Sequence, residues 1–271
     1  MTKILGIFTC YNRKEKSLMC LKSLIEGNPS IKFTFLAVDD ASTDGTQREL
    51  AGFSNVKVIE GDGKLFYSGG MRKGIASAKE NYKGFEYCLL FNDDVKFYPN
   101  AIEKMLQFCE NDRQIIVGAT CDDHGKLSYG GVRRTSSWRP AFEIVMSQDE
   151  TLCCDTFNAN CVLIPYGTFL ELPNIDEVYV HAMGDFDYGL KAKNYGCVIN
   201  PTNFFVGVCN DNPIQGTWRD RSLSVGKRMK LKENPKGLPA KEWFYFVKEY
   251  FGLFSACYSS LIPYIKIFLR R

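Results

Sequence analysis

Four short apolar runs in the first hundred residues end on polar side chains, and a turn or a stretch with helical spacing follows each. The runs are "ILGIFTC" (4–10), "KFTFLAVDD" (32–40), "VKVIEGD" (56–62) and "EYCLLFNDD" (86–94). The first is followed by "KEKSLMCLKSLIEG" (14–27), with apolar residues at helical spacing. After the second, "ASTDGT" (41–46) offers a helix start, with Ser42 or Thr43 as N-cap. "GGMRKGIASAKENYKG" (69–84) reads as a glycine-rich turn feeding a helix, and "PNAIEKMLQFCEN" (99–111) begins a helix with proline near its first turn. Strands alternating with helices imply a parallel sheet with helices on both faces. The expected fold class is α/β: a Rossmann-like, mostly parallel sheet flanked by helices, with a helical C-terminal tail.

In such sheets ligands bind beyond the carboxyl ends of the strands. Thr9, Tyr11, Asp39, Asp40, Asp93 and Asp94 all fall there. The adjacent Asp93 and Asp94 allow two readings. The strand can leave the core for a solvated turn closed by Asn92 and Asp94. Alternatively, a divalent cation is held between the pair and a ligand. A second pair, Asp39–Asp40, ends another strand aimed at the same crevice. Four acids on one sheet edge would be costly without a cation.

Composition narrows the class. At 271 residues, 45% hydrophobic and 24% charged, the chain is large enough for one broad domain. Its 11 cysteines are scattered, several inside apolar runs, with no Cys-x-x-Cys spacing. Reduced cysteines acting as small hydrophobes, and a cytoplasmic location, are therefore expected rather than disulfides or zinc. Residues 216–271 hold 12 basic and 4 acidic side chains, which leaves 22 basic against 27 acidic in residues 1–215. This basic tail carries the uncharged, aromatic-rich "FGLFSACYSSLIPYI" (251–265), too short to span a bilayer as a helix. Two readings stand for it: a helix lying on an anionic membrane surface, or one closing over the core or a dimer contact. The dispersed basic residues argue against nucleic acid as a partner.

Five strings in register, "TCYNR" (9–13), "VDDASTDGT" (38–46), "GGMRKGI" (69–75), "FNDDV" (91–95) and "GDFDYGLKAKNYG" (184–196), resemble the inverting glycosyltransferases of family 2, of GT-A fold, and within them the rhamnosyltransferase-like branch. The resemblance covers roughly residues 3–200. It implies residues 1–119 as the nucleotide-sugar-binding half of a GT-A domain (1–215) and 120–215 as its acceptor half. Thr9 and Tyr11 would border the nucleotide base, with Asn12 and Arg13 beside them. Asp40 would hydrogen-bond the base next to Asp39. Gly69 and Gly70 would pass close to the donor, with Arg72 or Lys73 meeting the diphosphate unless they form a solvated helix face. Asp93 would touch the ribose or donor sugar, and Asp94 would ligate Mn²⁺ or Mg²⁺.

The resemblance makes Asp185 the catalytic base, although an aspartate before a helix also serves as an N-cap. Asp187 reads first as a structural first-turn acid. His181 and Trp138 are placed at the acceptor, against the alternative of ordinary packing. Trp218, Tyr129 and Tyr179 are further stacking candidates, and Arg219 and Arg221 are expected on a loop that closes over the bound donor, against the alternative of ordinary surface arginines. Two departures stand out. Gly184 replaces an acid that usually precedes the base, and "NFFVGVCNDNPIQGTW" (203–218) lacks a histidine that often ligates the metal. Asp211 is the expected substitute, because Cys209 is too soft for a hard cation.

The implied reaction is displacement of a nucleoside diphosphate by an acceptor hydroxyl, with inversion. The expected donor is a UDP- or dTDP-sugar. The expected acceptor is a saccharide or lipid-linked saccharide in surface polysaccharide or glycolipid synthesis, reached at the inner face of the cell membrane. Two competing readings stand beside it: a sugar-phosphate nucleotidyltransferase, whose glycine-rich loop "FTCYNRKEK" lacks, and a degenerate transferase fold acting as a non-catalytic binding or scaffold subunit.

Overall fold

The computed structural model describes residues 1–146 and 153–269. The chain opens with strand β1 (Thr2–Cys10), helix α1 (Lys14–Gly27), β2 (Ile31–Asp39), α2 (Thr46–Ala51), β3 (Val56–Glu60), α3 (Phe66–Asn81) and β4 (Tyr87–Phe91). Next come β5 (Lys96–Phe97), α4 (Ala101–Gln107), β6 (Gln114–Cys121), β7 (Leu127–Tyr129), β8 (Gly131–Arg134) and β9 (Phe142–Val145). They are followed by β10 (Thr156–Phe157), β11 (Cys161–Pro165), α5 (Tyr166–Glu171), α6 (Gly184–Asn194), β12 (Val198–Val208), α7 (Val225–Glu233) and α8 (Ala240–Phe268).

Among the described residues, one large sheet runs in the order β3-β2-β1-β4-β11-β6-β12-β5, with β7 paired to β6. The first four strands are parallel; β11 runs antiparallel to both β4 and β6. A small antiparallel sheet, β10-β8-β9, lies beside it. β1 is central and covered on both faces, as its unbroken apolar run requires. Leu5 and Ile7 enter one hydrophobic cluster, with Leu36, Leu90 and Phe246. Ile4 and Phe8 enter the other, where Phe91 lies 5.0 Å from Phe8 and 5.9 Å from Phe35 between ring centroids.

Two local expectations change. α2 starts at Thr46, and it is Asp44 whose carboxylate accepts from Thr46 N (3.0 Å). Ser42 and Thr43 are engaged elsewhere: Asn12 N donates to Ser42 Oγ (2.8 Å), and Thr43 N donates to Asn12 Oδ1 (2.7 Å). The glycine-rich "SGG" is not a turn either. α3 begins at Phe66, so Gly69 and Gly70 are buried in its first turns. The helix needs them small: a Cβ on Gly70 would stand 2.2 Å from Thr9 Oγ1. α3 is thereby seated directly on the exit of β1.

α8 bends at Gly252, whose backbone (φ 84°) is one that glycine adopts without steric cost. Before the bend, Phe246 and Val247 are fully buried in the core. Beyond it the helix packs back along its own first half and α7. Pro263 leaves Ser259 O without its usual helical donor, and the Trp243 indole N–H supplies one (3.2 Å).

Candidate functional site

The carboxyl ends of β1, β2 and β4 meet at one edge. Asp39 and Asp40, both buried, organise the loops there. Asp39 Oδ1 accepts from Ser42 N (2.7 Å). Asp40 accepts from three backbone N–H groups at the entry to α3: Gly63 (2.8 Å) and Leu65 (3.2 Å) on Oδ1, and Phe66 (2.9 Å) on Oδ2. Four non-glycine residues with positive φ ring this edge: Asn12 (50°), Ala41 (61°), Phe66 (52°) and Met183 (64°). Such conformations persist where surrounding structure over-determines them, and they concentrate at functional sites.

The positive partner required by Asp93 and Asp94 is Arg13. One guanidinium nitrogen lies 3.1 Å from Asp93 Oδ1 and 2.9 Å from Asp94 Oδ2. Asp93 is buried, and Ser17 Oγ donates to its other oxygen (2.8 Å). Burial pushes its pKa up to about 6 against the pull of Arg13 and Ser17. Burial would lower the Arg13 pKa, but the two carboxylates outweigh it and raise it. Asp94 is partly open, and the Cys209 thiol donates to its Oδ1 (3.6 Å). Burial, then the charge of Asp94, raises that thiol to about 12, so it stays neutral.

The loop between β10 and β11 joins this pair to Asp185. Asn160 Nδ2 donates to Cys209 Sγ (3.3 Å), and Asn92 N donates to Asn160 O (3.3 Å). The preceding residue, Ala159, donates its N–H to Asp185 Oδ2 (3.4 Å). Asp185 is not the N-cap of α6; Met183 holds that position, and Asp185 lies in the first turn. Burial raises its pKa to about 6, although Phe186 N–H (2.8 Å) and Ala159 N–H both favour the charged form. Tyr67, on the first turn of α3, faces the charges of both Asp185 and Asp94, and its ring lies 6.4 Å from that of His181. His181 Nδ1 is buried without a hydrogen-bond partner, and burial, then Lys236 and Arg13, push its pKa down to about 4. The imidazole is neutral at pH 7.

Other candidates fall outside this cluster. Arg72 donates to the carbonyls of Asp176 (2.9 Å) and Tyr179 (3.1 Å), so it braces the loop before α6 rather than facing the carboxylates. Lys73 donates to Glu60 O (2.5 Å). Trp138 is 54% exposed and packs against Tyr258 of α8 (6.1 Å between centroids), which associates it with the tail. Tyr179 is core, and Tyr11 is exposed at the rim. Asp187 is structural: it is buried and bound by Lys191 Nζ (2.7 Å) and Tyr250 OH (2.6 Å). Gly184 is where it is because α6 starts against α3; a Cβ there would meet Ser68 Oγ at 2.3 Å. Ser17 and Tyr67 were missed. A serine on the otherwise apolar inner face of α1 was the available signal for the first; a lone tyrosine before "SGG" gave none for the second.

Among the described residues no group of three or more His, Cys, Asp or Glu could cage a metal ion. The oxygen donors fit a different arrangement. Asp94 is partly open, and Asp211 is exposed two residues after Cys209, whose thiol donates to Asp94. Mg²⁺ and similar ions commonly take one or two carboxylates and complete their shell with substrate phosphates.

The family model of glycosyl transferase family 2 matches residues 7–162. No curated protein sequence matches the chain. Among solved structures, the mannosyltransferase PcManGT from Pyrobaculum calidifontis, in complex with GDP-Man and Mn²⁺, is similar over 98% of this chain and 73% of that one, at 12% identity and a TM-score of 0.57. S. aureus TarS 1-349, in complex with UDP-GlcNAc, is similar over 98% of this chain and 90% of that one, at 12% identity and a TM-score of 0.58.

Proposed function

The chain belongs to glycosyl transferase family 2 and is a glycosyltransferase of GT-A fold; from that premise we propose inverting transfer from a nucleotide-diphosphate sugar to an acceptor hydroxyl, with Asp185 as general base. The observation that carries this reading is the hydrogen-bonded run from Asp185 through Ala159, Asn160 and Cys209 to Asp94. It supports the reading by tying Asp185 and Asp94 to one loop. A carboxylate near pKa 6 is a better proton acceptor than an ordinary one and is still ionised at pH 7.

Thr9, Tyr11, Asn12, Arg13, Asp39, Asp40 and the α3 start at Gly69–Gly70 would form the donor cradle, with Asp93 toward the ribose or sugar. Arg13 would offset part of the charge of Asp93 and Asp94 before donor binds. Asp94 and Asp211 would hold Mn²⁺ or Mg²⁺ jointly with the diphosphate; when bound there, such an ion supplies positive charge against the departing phosphate. Neutral His181 would offer a ring nitrogen to the acceptor side. A saccharide or lipid-linked saccharide acceptor, in surface polysaccharide or glycolipid synthesis, completes the reading, with residues 1–119 as donor half, 120–215 as acceptor half and the work done in the cytoplasm. Release of nucleoside diphosphate from a bound donor tests it. Asp185→Asn should keep donor binding and lower turnover by about 10²–10⁴. Unchanged turnover in that variant would end the assignment.

A further inference from the structure

Beyond Gly252 the second half of α8 exposes a continuous apolar face. Leu253 (60%), Phe254 (81%), Tyr258 (48%), Leu261 (60%), Ile265 (48%) and Phe268 (65%) are all open. From residue 250 to the last described residue, 269, Lys266 is the sole charged side chain. Packing on the opposite side holds this face outward. Its opposite side, with Ala256, Ser259, Pro263 and Ile267, is buried. α7 clamps it with two buried cations: Arg228 donates to Ile267 O (3.5 Å), and Lys232 Nζ sits 4.0 Å from the Tyr264 ring centroid. Uncharged surface of this extent, held outward, marks an interaction site.

We propose that this face lies flat on an anionic lipid surface, Phe254, Leu261 and Ile265 entering the acyl boundary and the flanking cations meeting headgroups. Charge decides between lipid and a second copy of the chain. A two-fold pairing sets each patch against itself, so the exposed cations at its rim, Lys266 and Arg139, would face their own copies, with no acidic residue between 250 and 269 to offset them. A bilayer with anionic headgroups turns the same charge into attraction. The rim matches an interface as well: Trp138 packs on Tyr258, and the Arg139 guanidinium lies 5.7 Å from the Trp138 ring centroid. Indole and phenol rings favour the headgroup level, where one end is apolar and the other wet. Glycosyl transfer is not assumed, so the proposal stands or falls separately from the catalytic reading.

The test is flotation of the full chain with phosphatidylcholine vesicles and with vesicles containing 30% phosphatidylglycerol (an experimental setting of about one anionic lipid in three). The wild type should float with the anionic vesicles only. Phe254→Ser with Leu261→Ser and Ile265→Ser should reduce the bound fraction at least about tenfold while keeping the wild-type melting transition, since these side chains touch water in the free protein. Equal behaviour of the two proteins overturns the proposal. So does flotation of neither, or a wild-type dimer in light scattering that the triple variant abolishes, which would give the face to a second copy.

Discussion

Arg13 is the residue that changes how the acidic edge works. The sequence presents Asp93 and Asp94 as charges in want of a cation, and it places Arg13 near the nucleotide; that the two needs are met by one guanidinium is visible only once β1 and β4 lie side by side. Ser17 stayed hidden for a related reason: its partner, Asp93, is 76 residues away. Asp185, in contrast, is a candidate on its local string alone, whereas its elevated pKa comes from burial under neighbouring elements that no string displays. The sign of the pH dependence follows. A base must be deprotonated, so kcat/KM should rise about tenfold per pH unit below about 6 and level off above it. Asp185→Asn should remove that limb from the profile, and a profile flat down to pH 4.5 in the wild type would reassign the base.

The start of α6 is decided by its neighbour α3. Gly184 looks in the sequence like a lost acid, and the structure shows a close approach instead, with Ser68 Oγ and Ile175 Cγ2 2.3 Å and 3.2 Å from where a Cβ would stand. Sequence patterns cannot display such a contact between helices more than a hundred residues apart. Gly184→Ala should therefore lower stability by about 1–3 kcal/mol in urea unfolding, the usual cost of overpacking. Combined with Ser68→Gly, the loss should be less than the sum of the single changes, because the Ser68 side chain is the obstacle. Strict additivity would mean that the strain arises elsewhere. The alternation of strands and helices through residue 111 was readable because its periods are local. The antiparallel β11, inserted between β4 and β6, was not, since strand direction depends on where the chain re-enters the sheet.

Across the whole molecule, the tail serves the site before it serves any surface. Three contacts tie the first half of α8 to the segment carrying Asp185: Val180 N donates to Glu242 Oε2 (3.3 Å), Tyr245 OH to Asp176 Oδ2 (2.8 Å), and Tyr250 OH to Asp187 Oδ1 (2.6 Å). Composition marked residues 216–271 as different and left core packing and membrane contact as alternatives; the bend at Gly252 assigns the first to the half before it, and we assign the second to the half beyond. Arg270 and Arg271, counted in that tail's charge, lie outside the described residues. Removing the Tyr250 hydroxyl should cost about 1.5–3 kcal/mol, since it bonds a buried carboxylate. In unfolding and turnover measurements, Tyr250→Phe should lower both the melting temperature and kcat, and a change in neither would show that α8 does not brace α6. The central claim, a metal-assisted donor site at the sheet edge, is tested most directly by calorimetric titration of UDP-, dTDP- and GDP-sugars with and without Mn²⁺ into the wild type and Asp94→Ala. One nucleotide class should bind the wild type, more tightly with Mn²⁺, and Asp94→Ala should lose the metal-dependent part. Binding that is indifferent to both the ion and Asp94, or no binding of any sugar nucleotide, would contradict it.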